Sequence, residues 1–174
     1  MTISSDNTAP SVRSVLRSPA LLLASWFGVG LSPRAPGTAG SIAALPLVAL
    51  LVYYLPVVTT AIIGLLLFFV GVWSASEAGR RWGQADHGAI VIDEVVGQLL
   101  ATAIPVYVLG DVLASFPVVI LLSLVTFRLF DIVKVWPADY VDKHSKNGWG
   151  VMLDDVFAGL WSGVVVIALL LMTY

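Results

Sequence analysis

The sequence contains no cysteine. That excludes disulfides, zinc–thiolate centres and any chemistry with a cysteine nucleophile. Charge is also scarce: Asp, Glu, Lys and Arg make up 11% of the 174 residues, against about 25% in a soluble domain. Histidine occurs twice, as His87 and His144. Net charge is −2 with no basic run, so the chain lacks the electrostatic footprint of a nucleic-acid binder. What is abundant is apolar: 59% of residues are hydrophobic and mean hydropathy is +0.95. So few charges cannot clothe a water-facing surface, and the composition is that of an all-α integral membrane protein.

The few charges are unevenly placed. Between Ala35 and Ser76 there are none, and the 32 residues from Ile42 to Trp73 would make a helix of about 48 Å. The hydrocarbon core is about 30 Å thick. Tyr53, Tyr54 and Pro56 sit near the middle of this run, an aromatic pair with a helix breaker, and predict a hairpin of two helices. Val95 to Phe127 repeats the plan, with Asp111 beside Gly110 as its one charge. Val156 to Tyr174 carries no charge and reads as a final single span.

Two hairpins and a C-terminal span make five transmembrane helices. Segments 1–41, 77–94 and 128–155 then lie on one side, and all nine Lys and Arg residues fall in them. The positive-inside rule makes that side cytoplasmic, which puts the N-terminus in and the C-terminus out. Residues 1–19, with Pro10 and Pro19 as breakers, are expected to form a polar tail ahead of a single transmembrane domain over 20–174. The apolar stretch "ALLLASWFGVG" resembles a signal-peptide core. It is about half a span long and lacks a clean cleavage site, so an interfacial or re-entrant segment is expected. Arg80, Arg81, Lys143 and Lys146 are expected at the headgroup level beside anionic lipid, and most of the six tryptophans in an interfacial belt.

Acidic residues gather where three helices meet this basic side. "DHGAIVIDEVVG" puts Asp93 and Glu94 at the start of the third helix. "RLFDIVKVWP" puts Arg128, Asp131 and Lys134 at the end of the fourth, at i, i+3 and i+6 on one face. "GWGVMLDDVFAG" puts Asp154 and Asp155 at the start of the fifth. One acid in a first helical turn gains about 0.3–1 kcal/mol from the macrodipole and needs no further purpose. Doublets on separate helices exceed that need, and five crowded acids repel unless a cation joins them. Hard carboxylate oxygens suit Mg²⁺, with Asp93, Glu94, Asp154 and Asp155 as its expected ligands. "GLSPRAPGTAGS" ahead of the first deep helix offers Gly37, Thr38, Gly40 and Ser41 as a backbone and hydroxyl anion site. His87, beside Asp86, is the candidate proton carrier.

With these motifs in hand, the chain resembles the phosphatidylglycerophosphatase A family of bacterial inner-membrane lipid phosphatases. "GVGLSPRAPGTAGS", "DHGAIVIDEVVG", "RLFDIVKVWP" and "GWGVMLDDVFAG" stand in family order from Gly28 to Gly159. The resemblance implies a Mg²⁺-dependent phosphatase that acts on phosphatidylglycerol phosphate, with the basic side placing the site at the cytoplasmic face; no obligate protein partner is inferred. Asp93, Asp131, Asp154 and His87 would serve catalysis, and Arg128, Lys134, Gly37, Thr38 and Ser41 would bind substrate. The lack of cysteine excludes a Cys-x5-Arg phosphatase loop, and neither a "PSGH" motif nor an Asp-x-Asp opening is present. The competing reading is a small cation-coupled transporter or channel, because intramembrane acids mark ion paths. A structural subunit that binds anionic lipid is a third. Against the transporter stand the position of the acids at helix ends and span cores expected to be nearly free of polar side chains.

Overall fold

The computed structural model describes residues 10–110 and 116–172, and within these it is all helical. Five helices are long and apolar enough to cross a membrane: α3 (Pro36–Tyr54), α4 (Val57–Trp82), α5 (Ile92–Leu109), α6 (Phe116–Val133) and α8 (Gly148–Leu171). The expected first hairpin is there. Its turn falls at Leu55 and Pro56, where Pro56 cannot continue α3 but caps the start of α4. The second hairpin joins α5 to α6, and the turn assigned to Asp111 lies outside the described residues. Each helix runs beyond its apolar core at the end that carries the motifs, as the short half-hairpins required.

Short helices pack at that same end. α1 (Val12–Leu16) starts at a capping box between Ser11 and Ser14, and α2 (Pro19–Ala24) has Pro19 in its first turn. Of the expected polar tail, residues 10–19 are described, and Val15 among them is fully buried against the core. Pro19 starts a helix instead of breaking one, since a first-turn proline loses no helical hydrogen bond. α2 is six residues long, too short to span. After it the chain turns through left-handed backbone at Trp26, Phe27 and Gly28 into a 3-10 turn, Val29–Leu31. α7 (Ala138–His144) lies between α6 and α8 and was not foreseen.

α5 is the axis of the bundle, with Asp93 to Leu99 buried on every face, while α4 exposes most of its length. α5 pairs most extensively with α8, and glycine makes this possible. A Cβ on Gly159 would stand 2.5 Å from the Gly97 carbonyl oxygen, and one on Gly163 2.8 Å from Ile104 Cβ. Close backbone approach through small residues is how helices associate where no hydrophobic effect drives them together. It also brings the first turns of α5 beside the second turn of α8.

One expectation about the spans is corrected. Their interior is not free of polar side chains: Gln98, Thr102, Ser123, Thr126 and Ser162 are buried within it. Most bond to each other or to backbone carbonyls, as low-dielectric surroundings demand. Thr126 Oγ1 and Ser162 Oγ are 2.6 Å apart, and Ser123 Oγ donates to the Ala101 carbonyl at 3.0 Å. Trp82 likewise leaves the expected aromatic belt and is buried, while Trp73, Trp136 and Trp149 are exposed.

Candidate active site

Four helix ends deliver the site. Asp93 and Glu94 occupy the first turn of α5. Asp154 and Asp155 lie in the second turn of α8, past Asn147, whose side chain caps the Trp149 and Gly150 amides. They are therefore not helix-start acids, and capping does not account for them. All four carboxylates are buried.

The two aspartates of α8 face different neighbours because successive helical residues point about 100° apart. Asp155 joins Asp93 and Glu94: one carboxylate oxygen from each lies within 4.8 Å of the others. Asp154 turns to Lys134, whose Nζ donates to its Oδ2 at 2.5 Å. Two like charges 4.8 Å apart repel by about 3 kcal/mol even at an effective dielectric constant near 20. Glu94 Oε2 and Asp155 Oδ2 are moreover buried without a hydrogen-bond partner. A hard divalent cation would supply both missing contacts and the missing charge, so the chemistry of Asp93, Glu94 and Asp155 suits an ion such as Mg²⁺.

Arg128, near the end of α6, borders this group. Its Nη1 lies 3.0 Å from Asp131 Oδ2 and 3.6 Å from Glu94 Oε1. The same nitrogen is 3.4 Å from Ser41 Oγ, which donates to the Gly37 carbonyl. Gly37 is in the first turn of α3, entered through left-handed backbone at Ala35. A Cβ there would collide with Glu94 Oε1 and stand 2.9 Å from Arg128 Nη2. The expected anion loop and the acids thus share one pocket. Gly37, Ser41, Arg128, Asp131 and Glu94 are brought together, with Thr38 beside them in the same helical turn.

Lys134 lies just beyond α6, in left-handed backbone, and not at the i+6 position of its face. Besides Asp154 it meets Asp142 of α7 at 3.3 Å, a residue that sequence spacing did not single out. Burial opposes the charge of Lys134, but the Asp154 and Asp142 carboxylates outweigh it and hold its pKa above the ordinary lysine range. Desolvation acts on Asp142 as well, yet Lys134 and Lys146 keep its pKa below the usual carboxylate value.

His87 is not drawn into this group by any hydrogen bond or ion pair among the described residues. Its Nδ1 accepts the Ala89 amide at 3.1 Å, and its ring stands 5.2 Å from Trp82. The surface cations are paired within the chain: Arg80 and Arg81 with Glu77, Lys143 with Asp139, Lys146 with Asp142. An apolar groove of about 560 Å³ between α4, α5 and α8 is lined by Val96, Leu99 and Leu153. On α5 it lies on the face opposite Glu94.

These features define the chain's class: a polytopic helical membrane protein with a buried carboxylate cluster, edged by an arginine, at one end of its bundle. Residues 22–170 match the family model of phosphatidylglycerophosphatase A. A Haemophilus influenzae phosphatidylglycerophosphatase A is 38% identical over 161 residues, 92% of this chain and 94% of the relative. The Escherichia coli phosphatidylglycerophosphatase A is 36% identical, covering 86% of this chain and 83% of its own. A Bacteroides thetaiotaomicron protein described as a putative phosphatidylinositol-3-phosphatase is 37% identical, covering 84% and 90%. No solved structure matches. The chain belongs to the phosphatidylglycerophosphatase A family, to which its four motifs point, and is a phosphatase.

Proposed function

We propose that the chain hydrolyses the phosphomonoester of phosphatidylglycerol phosphate, using Mg²⁺, at the cytoplasmic face of the inner membrane. The observation that carries this reading is Arg128 set against the Glu94–Asp155–Asp93 group at the end of the spans. A lipid phosphate keeps its acyl chains in the bilayer, so its phosphorus must be met at headgroup depth. The names of the two phosphatidylglycerophosphatase relatives support the substrate. The placement of all nine Lys and Arg residues on one side supports the cytoplasmic face.

Asp93, Glu94 and Asp155 would hold the cation. When bound, Mg²⁺ supplies Lewis acidity towards the phosphoryl oxygens and lowers the pKa of a coordinated water. Arg128 offers a planar fork to the phosphate and to the charge that grows on it in the transition state. Asp131 fixes the rotamer of that fork. Ser41 supports the fork by accepting from Arg128, and the amides of the first turn of α3 would be offered to the same phosphate. Lys134 keeps Asp154 paired and adds positive potential at the edge of the pocket. Hydrolysis breaks the bond from phosphorus to the glyceryl oxygen. Water provides the new phosphate oxygen, and one of its protons ends on the lipid hydroxyl. His87 is given no step in this scheme: its ring contacts Ala89 and Trp82, and no hydrogen bond or ion pair among the described residues joins it to the carboxylate group.

The name of the Bacteroides relative favours a second reading, in which the substrate is a 3-phosphorylated inositol lipid. Purified protein in mixed micelles, given each lipid with and without Mg²⁺, separates the two. Inorganic phosphate should appear from phosphatidylglycerol phosphate, with Mg²⁺, much faster than from phosphatidylinositol 3-phosphate. The reverse order would overturn the substrate, and full turnover in chelator would overturn the metal.

A further inference from the structure

Gln98 is fully buried in α5 and was not among the residues singled out by spacing. It stands four residues after Glu94, so the two share one face of the helix on successive turns. Its Nε2 donates to Thr102 Oγ1 at 3.2 Å, one turn deeper still. This anchors the amino end of the amide away from the site, and the Oε1 end has no partner. Helical side chains lean towards the N-terminus, which in α5 is the direction of Glu94. Two acceptors therefore go unpartnered in the carboxylate group, Glu94 Oε2 and Asp155 Oδ2, and a third, Gln98 Oε1, goes unpartnered one turn deeper on the Glu94 face of α5. An orphaned buried carbonyl is destabilising, and a group of orphaned acceptors calls for a cation or the water it carries.

We propose that Gln98 is the neutral inner wall of the cation site, its amide oxygen accepting a hydrogen bond from a water of the divalent ion held by Asp93, Glu94 and Asp155. The inference rests on the metal reading above. Neutrality has a physical use at this depth. A fourth carboxylate would add repulsion in a low-dielectric setting, whereas an amide oxygen orients water without adding charge. Thr102 acts through Gln98: its hydroxyl fixes which end of the amide faces the ion. Outer-sphere partners of this kind typically change metal affinity by about 10–100-fold when removed.

The test is an Mn²⁺ binding isotherm, followed by electron paramagnetic resonance, on the purified full-length protein in detergent. Wild type is compared with Gln98→Met, Gln98→Glu, Thr102→Val and Asp155→Asn. Methionine keeps the length and flexibility of the side chain but loses the oxygen. Gln98→Met should raise the Mn²⁺ dissociation constant about tenfold or more. Gln98→Glu, which keeps an oxygen there, should bind at least as tightly as wild type. Thr102→Val should fall between wild type and Gln98→Met. Thermal unfolding without metal shows that each variant is folded. A purely structural Gln98 would lower the melting temperature and leave the isotherm in place. An unchanged isotherm in folded Gln98→Met, with binding lost in Asp155→Asn, would overturn the role of Gln98 and leave the metal site standing. No saturable binding in wild type would overturn both.

Discussion

Lys134 Nζ donates to Asp154 Oδ2 at 2.5 Å, while the adjacent Asp155 keeps its Oδ2 buried and unpartnered beside Asp93 and Glu94. Two neighbouring aspartates of one helix thus do different things, and their asparagine variants should separate. Asp155→Asn should reduce phosphate release about a hundredfold or more and weaken Mg²⁺ binding, with the fold intact. Asp154→Asn should instead cost about 1–3 kcal/mol of stability by leaving Lys134 with Asp142 as its one carboxylate partner, and leave the Mg²⁺ dependence near wild type. Mg²⁺ titrations of turnover together with thermal unfolding check this. Equal shifts in Mg²⁺ dependence for both variants would contradict the division of labour.

Arg128 touches Glu94, Asp131 and Ser41 through one nitrogen. Arg128→Ala should lower turnover about a hundredfold or more, and Arg128→Lys should recover only part of it, since an ammonium has no fork. Near-normal phosphate release from Arg128→Ala at matched protein level would remove this residue from the pocket.

Gly37 tests the pocket from its other wall. Replacing a helical glycine with alanine normally gains about 1 kcal/mol. Here the new methyl would meet Arg128 Nη2 at 2.9 Å and crowd Glu94 Oε1. Gly37→Ala should therefore lose activity about tenfold or more while melting no lower than a few degrees below wild type. Unchanged turnover would mean that this approach is not used in the reaction.

Asp142 ties α7 to Lys134 and Lys146. Its folded pKa is depressed, so it contributes stability that is present above its unfolded pKa of about 3.9 and lost as pH falls through the lower folded value. Asp142→Asn should flatten the acid limb of the stability–pH curve without altering it near neutrality in shape. An identical acid limb in the variant would show that the pair contributes nothing, as many solvent-exposed pairs do.

The five spans predict that a reporter fused after Tyr174 and one inserted near Asp139 report opposite sides, with the Asp139 reporter cytoplasmic. Both reporters on one side would contradict an odd number of crossings.

The sequence by itself determined the spans, the hairpin turn at Leu55 and Pro56, and the end of the bundle at which the acids collect. These follow from hydropathy, helix length and breakers, which act over short stretches of chain and are the same in any packing. The pocket's membership was half legible. Charge in a membrane chain is rare enough that Asp93, Glu94, Arg128 and Asp155 stand out wherever they fall. Only the tertiary structure decided that Asp154 faces Lys134 and Asp155 the other acids, because a 100° step between neighbours matters only once α8 is rotated against α5 by Gly97 and Gly159. The roles of Asp142 and Gln98 were decided the same way. An aspartate in a short polar segment between two spans and a glutamine within an apolar run carry no periodic signal. What gives them meaning is a partner, or the lack of one, that packing places beside them.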